Sequence, residues 1–192
     1  MYVGEALFRN SSLSDYLRGQ VSAIDNHVRN SLNKSDLSKT DAEIVDQMLA
    51  QARVAPLAVD FDHPEKDVRE ARIQVGDVFG GRGMVDGVIA TRRYRFTGQA
   101  ELFGMRPSSW STMLPYGRVE FDHVVIGWSG RGDDAEAIKT ELDSQEKTLR
   151  EYVGNSVRQI EEHNQQLQGL LAQAVANRRQ QLQGLDDLKG KL

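Results

Sequence analysis

Apolar positions in the first part of the chain follow a helical period. One set recurs at steps of three and four residues and therefore lies on one stripe of a helix: Leu13, Tyr16, Leu17, Val21, Ile24 and Val28. After a polar break, Thr40 and Glu43 have the spacing of a capping box, and apolar residues continue at helical spacing as far as residue 52. The pattern predicts a helical segment over residues 1–53, with two helices that need a surface to pack against.

Between residues 54 and 132 the apolar pattern changes to short runs, several of them alternating with polar positions. The predicted strands cover residues 54–61, 72–79, 85–96, 100–105 and 118–128. Glycines lie between them where tight turns are needed, as at residues 80–83. Several short strands joined by close turns predict an antiparallel sheet folded into a small barrel or sandwich.

Residues 133–192 contain no proline and have the apolar spacing of a coiled coil. The predicted seam positions advance by four and three residues: Val157, Ile160, Asn164, Leu167, Leu171 and Ala174. Upstream positions keep this rhythm one register away, so the segment is either a long helix, kinked near Gly154, or a helix pair. The three segments together predict an α+β fold with N-terminal helices, an antiparallel barrel or sandwich, and a coiled-coil region.

A single helix of about 55 residues would extend about 80 Å, so its apolar seam needs a cover. The helices of residues 1–53 can cover part of it, and a second copy of the chain is the natural candidate for the rest. Asn164 is a polar seam residue of the kind that fixes register and partner number. We therefore expect a homo-oligomer, with a dimer favoured, while packing of the helix within its own chain stays open.

The composition of the chain restricts the cellular compartments and the classes of binding partner to be considered. A chain of 192 residues holds one domain, or one domain with an appendage. The net charge of −4 argues against a protein-wide attraction to nucleic acid or to anionic lipid. The absence of cysteine excludes disulfides and thiolate chemistry and fits a reducing compartment. Because no apolar stretch reaches about 18 residues and no signal peptide is evident, we expect a cytoplasmic protein that does not span a membrane.

The motifs that suggest catalysis all have simpler explanations. The glycine-rich stretch of residues 80–87 lacks the Lys-Ser/Thr pair of a phosphate loop and reads as a hairpin turn. The acidic stretch of residues 60–67 lacks the glycine and terminal glutamate of a calcium loop. The four histidines are far apart and show no paired ligand spacing: His27, His63, His123 and His163. We predict no catalytic residue, metal or cofactor, and therefore no enzymatic activity in this chain.

One basic strand leaves a second function open. Arg92, Arg93 and Arg95 alternate with Tyr94 and Phe96, a pattern that could bind a phosphate backbone and stack bases. Residues 54–132 contain ten Lys or Arg against ten Asp or Glu, so any basic patch is local, and arginines paired with nearby acids are the commoner case. A barrel that binds a small ligand is a third possibility, which would need an apolar lumen.

Two stretches resemble a family of bacterial multidomain proteins of defence or restriction type. They are ELFGMRPSSWSTMLPYGRV at residues 101–119, and HNQQL followed by ANRRQQL at residues 163–182. The chain resembles the N-terminal, non-catalytic module of these proteins, whose C-terminal half is a PD-(D/E)xK nuclease-like or Toll/interleukin-receptor-like effector. The resemblance implies that any catalytic domain would lie beyond Leu192, and it transfers no catalytic residue to this chain.

These observations lead to one favoured function and one alternative. The favoured function is a non-enzymatic oligomerisation and sensing module of a bacterial antiviral-defence or restriction-type effector, which self-associates through its C-terminal helix. Its β segment would present loops such as residues 106–116 to a partner, with Arg106 and Trp110 as possible contacts. The alternative is a nucleic-acid-binding module that uses residues 92–96.

Overall fold

The computed structural model describes residues 1–76, 82–132 and 135–191. Its helices are α1 (Leu13–Ser31), α2 (Asp41–Ala52) and α3 (Ala135–Lys191). Its strands are β1 (Glu5–Ala6), β2 (Ser11–Ser12), β3 (Ala58–Val59), β4 (Glu65–Gly76), β5 (Arg82–Thr97), β6 (Met105–Arg106), β7 (Tyr116–Glu120) and β8 (His123–Gly130). The predicted α+β class is confirmed, with N-terminal helices, an antiparallel sheet curled into a half-barrel, and one long C-terminal helix.

The main sheet is organised around β5. Its strands run in the order β1-β7-β8-β5-β3, and β4 pairs with the opposite side of β5 from β8. All of these pairings are antiparallel, and β4 and β5 stay in register from Glu65–Arg93 to Gly76–Arg82. The short strands β2 and β6 form a separate parallel pair.

The observed strands differ from the predicted ones in several places. Residues 54–61 contain only the two-residue β3, whereas β4 begins at residue 65 rather than 72. Residues 100–105 are mainly a 3-10 helix (Ala100–Gly104), because the apolar Leu102 and Phe103 are buried by a turn of helix instead of by an alternating strand. Residues 118–128 form two strands joined by a turn at Phe121 and Asp122. The predicted positions at residues 77–81 lie outside the described residues.

The chain divides into two compact units, each of which combines an N-terminal stretch with part of α3. Unit 1 comprises Met1–Leu13 and Pro56–Val157, and unit 2 comprises Ser14–Ala55 and Arg158–Leu192. None of the described helices combines the length and the apolar character needed to cross a membrane.

The interior of unit 1 is built from aromatic side chains. Phe8 packs against Tyr152 of α3 with 5.3 Å between ring centroids, and it also contacts Phe103 at 5.8 Å. Phe96 of β5 meets Phe103 edge-on at 5.0 Å. Since these rings and Tyr94 are buried, the half-barrel holds packed side chains where a ligand-binding barrel would need an apolar lumen.

In unit 2, helices of the same chain cover the predicted coiled-coil seam. The core cluster joins α1 and α2 to the second half of α3: Ile24, Val28, Leu32, Ile44, Val45, Met48, Leu167, Leu171, Ala174, Val175 and Leu182. Asn164 forms two hydrogen bonds with the backbone of Val54, at 2.9 and 3.1 Å. The expectation that a second copy covers this seam is therefore wrong for Leu167, Leu171 and Ala174, because α1 and α2 occupy that place.

The two remaining residues of the predicted seam, Ile160 and Val157, differ in how far they are buried. Ile160 is fully buried, whereas Val157 is half-buried and ends the stretch of α3 that belongs to unit 1. Self-association of the chain stays a prediction, but these α3 residues are not a free surface for it.

Leu171→Ala should destabilise unit 2 by about 2–5 kcal/mol, because it opens a cavity in a fully buried position. The neighbouring Leu170 is 38% exposed, so Leu170→Ala is the matched control and should change the free energy of unfolding little. Urea unfolding combined with light scattering measures both effects. A lower molar mass for Leu171→Ala with unchanged stability would place the seam between chains instead.

Candidate protein-interaction loop

The segment between β6 and β7 has no regular secondary structure, and we call it the 107–115 loop. Proline stands at both of its ends, at Pro107 and Pro115, where the fixed φ angle narrows the conformations open to the chain. The carbonyl of Pro115 accepts a hydrogen bond of 2.9 Å from the backbone N–H of Leu7, next to β1. Both ends of the loop are therefore held by the β-structure of unit 1.

Side chains of α3 bind the backbone of the loop and of the first residue after it. The Tyr152 hydroxyl donates to the Ser111 carbonyl at 2.6 Å and accepts from the Ser111 N–H at 3.2 Å. Asn155 Nδ2 donates to the Ser109 carbonyl at 3.0 Å. Gln145 Oε1 accepts from the Tyr116 N–H at 2.9 Å.

The spacing of these three anchors follows the helical repeat. Gln145 and Tyr152 are two turns apart, and Tyr152 and Asn155 are three residues apart, so all three lie on one side of α3. Gln145 and Tyr152 are buried, where an unsatisfied polar group is costly. The anchors therefore hold the backbone at Ser109, Ser111 and Tyr116.

The loop nevertheless exposes two large apolar side chains. Trp110 is 53% exposed and Met113 is 59% exposed. The guanidinium of Arg106 lies 5.0 Å from the centroid of the Trp110 ring, which is cation–π geometry. A fixed backbone that presents exposed Trp, Met and Arg side chains is the arrangement of a docking surface, and it combines the predicted contacts Arg106 and Trp110.

The basic strand of residues 92–96 is not such a surface. Arg92 is largely buried and donates to Glu146 at 2.8 Å and to Asp143 at 2.6 Å. Tyr94 is buried and donates to Glu146 at 2.7 Å, and Phe96 lies in the core. The expectation that Tyr94 and Phe96 stack on bases is wrong, because both rings are buried.

The remaining two arginines of that strand face acidic side chains. Arg93 lies 3.4 Å from Glu120 and 3.7 Å from Glu65, and Arg95 lies 3.9 Å from Asp122. This is the paired arrangement that is the commoner case for arginines on a strand.

The Arg92–Tyr94–Glu146 cluster attaches α3 to the sheet. Burial raises the pKa of Tyr94, and its hydrogen bond to Glu146 raises it further, so the hydroxyl stays a donor. Burial alone would raise the pKa of Glu146, but hydrogen bonds from Tyr94, Arg150 and Arg92 outweigh it, and the pKa lies below its ordinary value. The carboxylate therefore stabilises the folded state as an anion.

Two of the histidines contact carboxylates. His123 is buried on β8, where its Nδ1 lies 2.5 Å from Asp122 and its Nε2 lies 3.8 Å from Glu65. The hydrogen bond from His123 lowers the pKa of Asp122. His63 contacts Asp60 at 3.1 Å on the surface. Within residues 1–76, 82–132 and 135–191, no group of three or more His, Asp or Glu could hold a metal ion.

The anchors of the loop are not evident in the sequence. The apolar repeat of the helix places Gln145 and Tyr152 at seam positions but gives them no partner. Asn155 is notable in the sequence only because it lies next to the possible kink at Gly154. A polar amide at an apolar position of the repeat is the one available signal, and it indicates that Gln145 needs a partner without indicating which one. No known protein family, curated protein or solved structure gives a significant match to this chain.

Glu146→Gln should change the pH dependence of stability. Because the folded-state pKa of Glu146 is depressed, its contribution is present above the ordinary value of 4.5 and is lost as the pH falls through the folded-state value. The variant should be less stable by about 1.5–3 kcal/mol at neutral pH and lose less on acidification. Urea titrations at a series of pH values measure this.

The matched control is Glu151→Gln, which removes an exposed carboxylate from the same helix. It should leave the pH profile close to that of the wild type. Parallel profiles for the wild type and Glu146→Gln would contradict the role given to this carboxylate.

Proposed function

We propose that this chain is a non-catalytic interaction module that binds a protein partner through Arg106 and the 107–115 loop. The observation that carries the proposal is the contrast within the loop: its backbone is hydrogen-bonded to Tyr152 and Asn155, while Trp110 and Met113 are exposed. A loop that is ordered before binding loses little conformational entropy in the complex.

The exposed residue types suit protein recognition. Trp and Arg are enriched among the residues that dominate binding energy at interfaces, and the flexible thioether of Met adapts to different partner surfaces. Residues 107–115 carry no charge, and the side chain of Arg106 is exposed. A partner that places an apolar side chain on Trp110 and a carboxylate against Arg106 would complement this surface.

The wider context is proposed on the resemblance alone. The resemblance at residues 101–119 spans the whole 107–115 loop and suggests that the chain serves a bacterial defence or restriction-type effector as an oligomerisation and sensing module, with the loop presented to a partner. In that context, binding at the loop would be the signal that the module passes on, and no chemistry would take place in this chain.

A displayed random-peptide library tests the proposed surface directly. Peptides selected on the wild-type protein should combine aromatic or aliphatic residues with Asp or Glu. The double variant Trp110→Ser, Met113→Ser should weaken their binding by at least about tenfold, because truncation of an interface Trp commonly costs about 2 kcal/mol or more. Isothermal titration with the selected peptides measures the change.

Phe121→Ser is the matched control. Phe121 is a fully exposed aromatic residue on the β7–β8 turn of the same unit, so this variant should bind the selected peptides as the wild type does. Peptides that bind all three proteins equally, or a library that yields no enriched sequence, would overturn the proposal.

A further inference from the structure

The outer edge of β4 is long and unpaired. Each β4 residue from Glu65 to Gly76 pairs with β5 on one side, and no described strand pairs with the other side. All side chains of residues 65–70 are exposed. Such an edge offers a row of free N–H and C=O groups that can pair with another strand.

The charges along this edge change sign when the sequence is read backwards, so two antiparallel copies can place opposite charges next to each other. Around the uncharged Val68 the sequence reads Lys66, Asp67, Val68, Arg69, Glu70. We propose that two copies of the chain pair their β4 strands antiparallel about a two-fold axis at Val68. Asp67 of each copy then faces Arg69 of the other, and Lys66 faces Glu70, so that every charged residue of this stretch meets the opposite charge.

The geometry of a sheet restricts the alternatives. A two-fold axis perpendicular to the sheet keeps each side chain on its own face, so opposite residues are an even number of positions apart. Moving the axis by one residue, to Asp67 or to Arg69, places that residue opposite itself and brings like charges together, which is destabilising. An axis at Ala71 retains only the pairing of Glu70 with Arg72.

Apolar surface lies at the same edge. Val68, at the proposed axis, is 68% exposed although it stands in a strand. It borders a groove of about 390 Å³ between the β4–β5 pair and α3, where Val88, Ile138 and Leu142 contribute apolar lining. Pairing of two β4 strands would bury Val68 against its counterpart and extend the sheet across both copies. This surface is separate from the 107–115 loop.

A charge swap tests the register. Wild-type protein should show a concentration-dependent increase to twice the chain mass in sedimentation equilibrium. Lys66→Glu places two carboxylates opposite each other at two symmetric positions and should raise the dimer dissociation constant at least about tenfold. The double variant Lys66→Glu, Glu70→Lys restores opposite charges and should bring the constant back to within about threefold of the wild-type value.

Two controls separate this interface from other effects. Lys147→Glu makes the same charge change at an exposed position of α3 and should leave the dissociation constant unchanged. The Trp110→Ser, Met113→Ser variant should also dimerise normally, so a failure of the loop proposal and a failure of the edge proposal are distinguishable.

A disulfide trap tests the axis directly. The chain contains no cysteine, and residues directly opposite in an antiparallel pair have Cα atoms about 4.5–5.5 Å apart, within the range a disulfide spans. Val68→Cys should therefore form a covalent dimer rapidly under mild oxidation, whereas Ala71→Cys should form far less.

The outcomes that would overturn the proposal are distinct. If the wild-type protein has the mass of a single chain at every concentration, β4 stays unpaired and the proposed dimer does not form. A swap variant as weak as Lys66→Glu would exclude the proposed register, and faster trapping at Ala71→Cys than at Val68→Cys would move the axis to residue 71.

Discussion

The contact between the first half of α3 and the β-sheet is the interaction on which unit 1 depends. Arg92 is a charged side chain that is largely removed from water, and such a group needs paired carboxylates. Glu146 and Asp143 supply them from α3, and Tyr94 uses the same Glu146 oxygen. Since the polar cluster fixes the helix in position and rotation, it also determines which α3 side chains reach the rest of the unit.

The 107–115 loop follows from that placement. With Glu146 directed at β5, the helical repeat brings Tyr152 and Asn155 to the loop backbone and Gln145 to the N–H of Tyr116, the first residue of β7. The same helix thus fixes both the sheet and a segment without secondary structure. Trp110 and Met113 can therefore stay exposed, because backbone hydrogen bonds determine the conformation of the loop and burial of these side chains is not needed.

The sequence predicted what depends on local periodicity. The helix of residues 13–31, the capped helix after Thr40, the long strand around residues 85–96 and the long C-terminal helix all carry their pattern within a few turns or residues. The partner of the seam could not be predicted, because the apolar spacing of Leu167 and Leu171 is the same whether they pack against α1 and α2 or against a second chain. No glycine or proline marks the turn at Phe121, and the carboxylates that pair with Arg92 lie too far away in the sequence to be assigned to it.

Amide hydrogen exchange at Ser111 and Tyr116, measured by NMR on the wild type and on Tyr152→Phe, tests the dependence of the loop on α3 most directly. This dependence predicts slow exchange at both amides in the wild type, and loss of protection at Ser111 alone in the variant, since Tyr116 is held by Gln145 instead. Exchange of Ser111 at the rate of an unstructured peptide in the wild type, or unchanged protection in Tyr152→Phe, would contradict it.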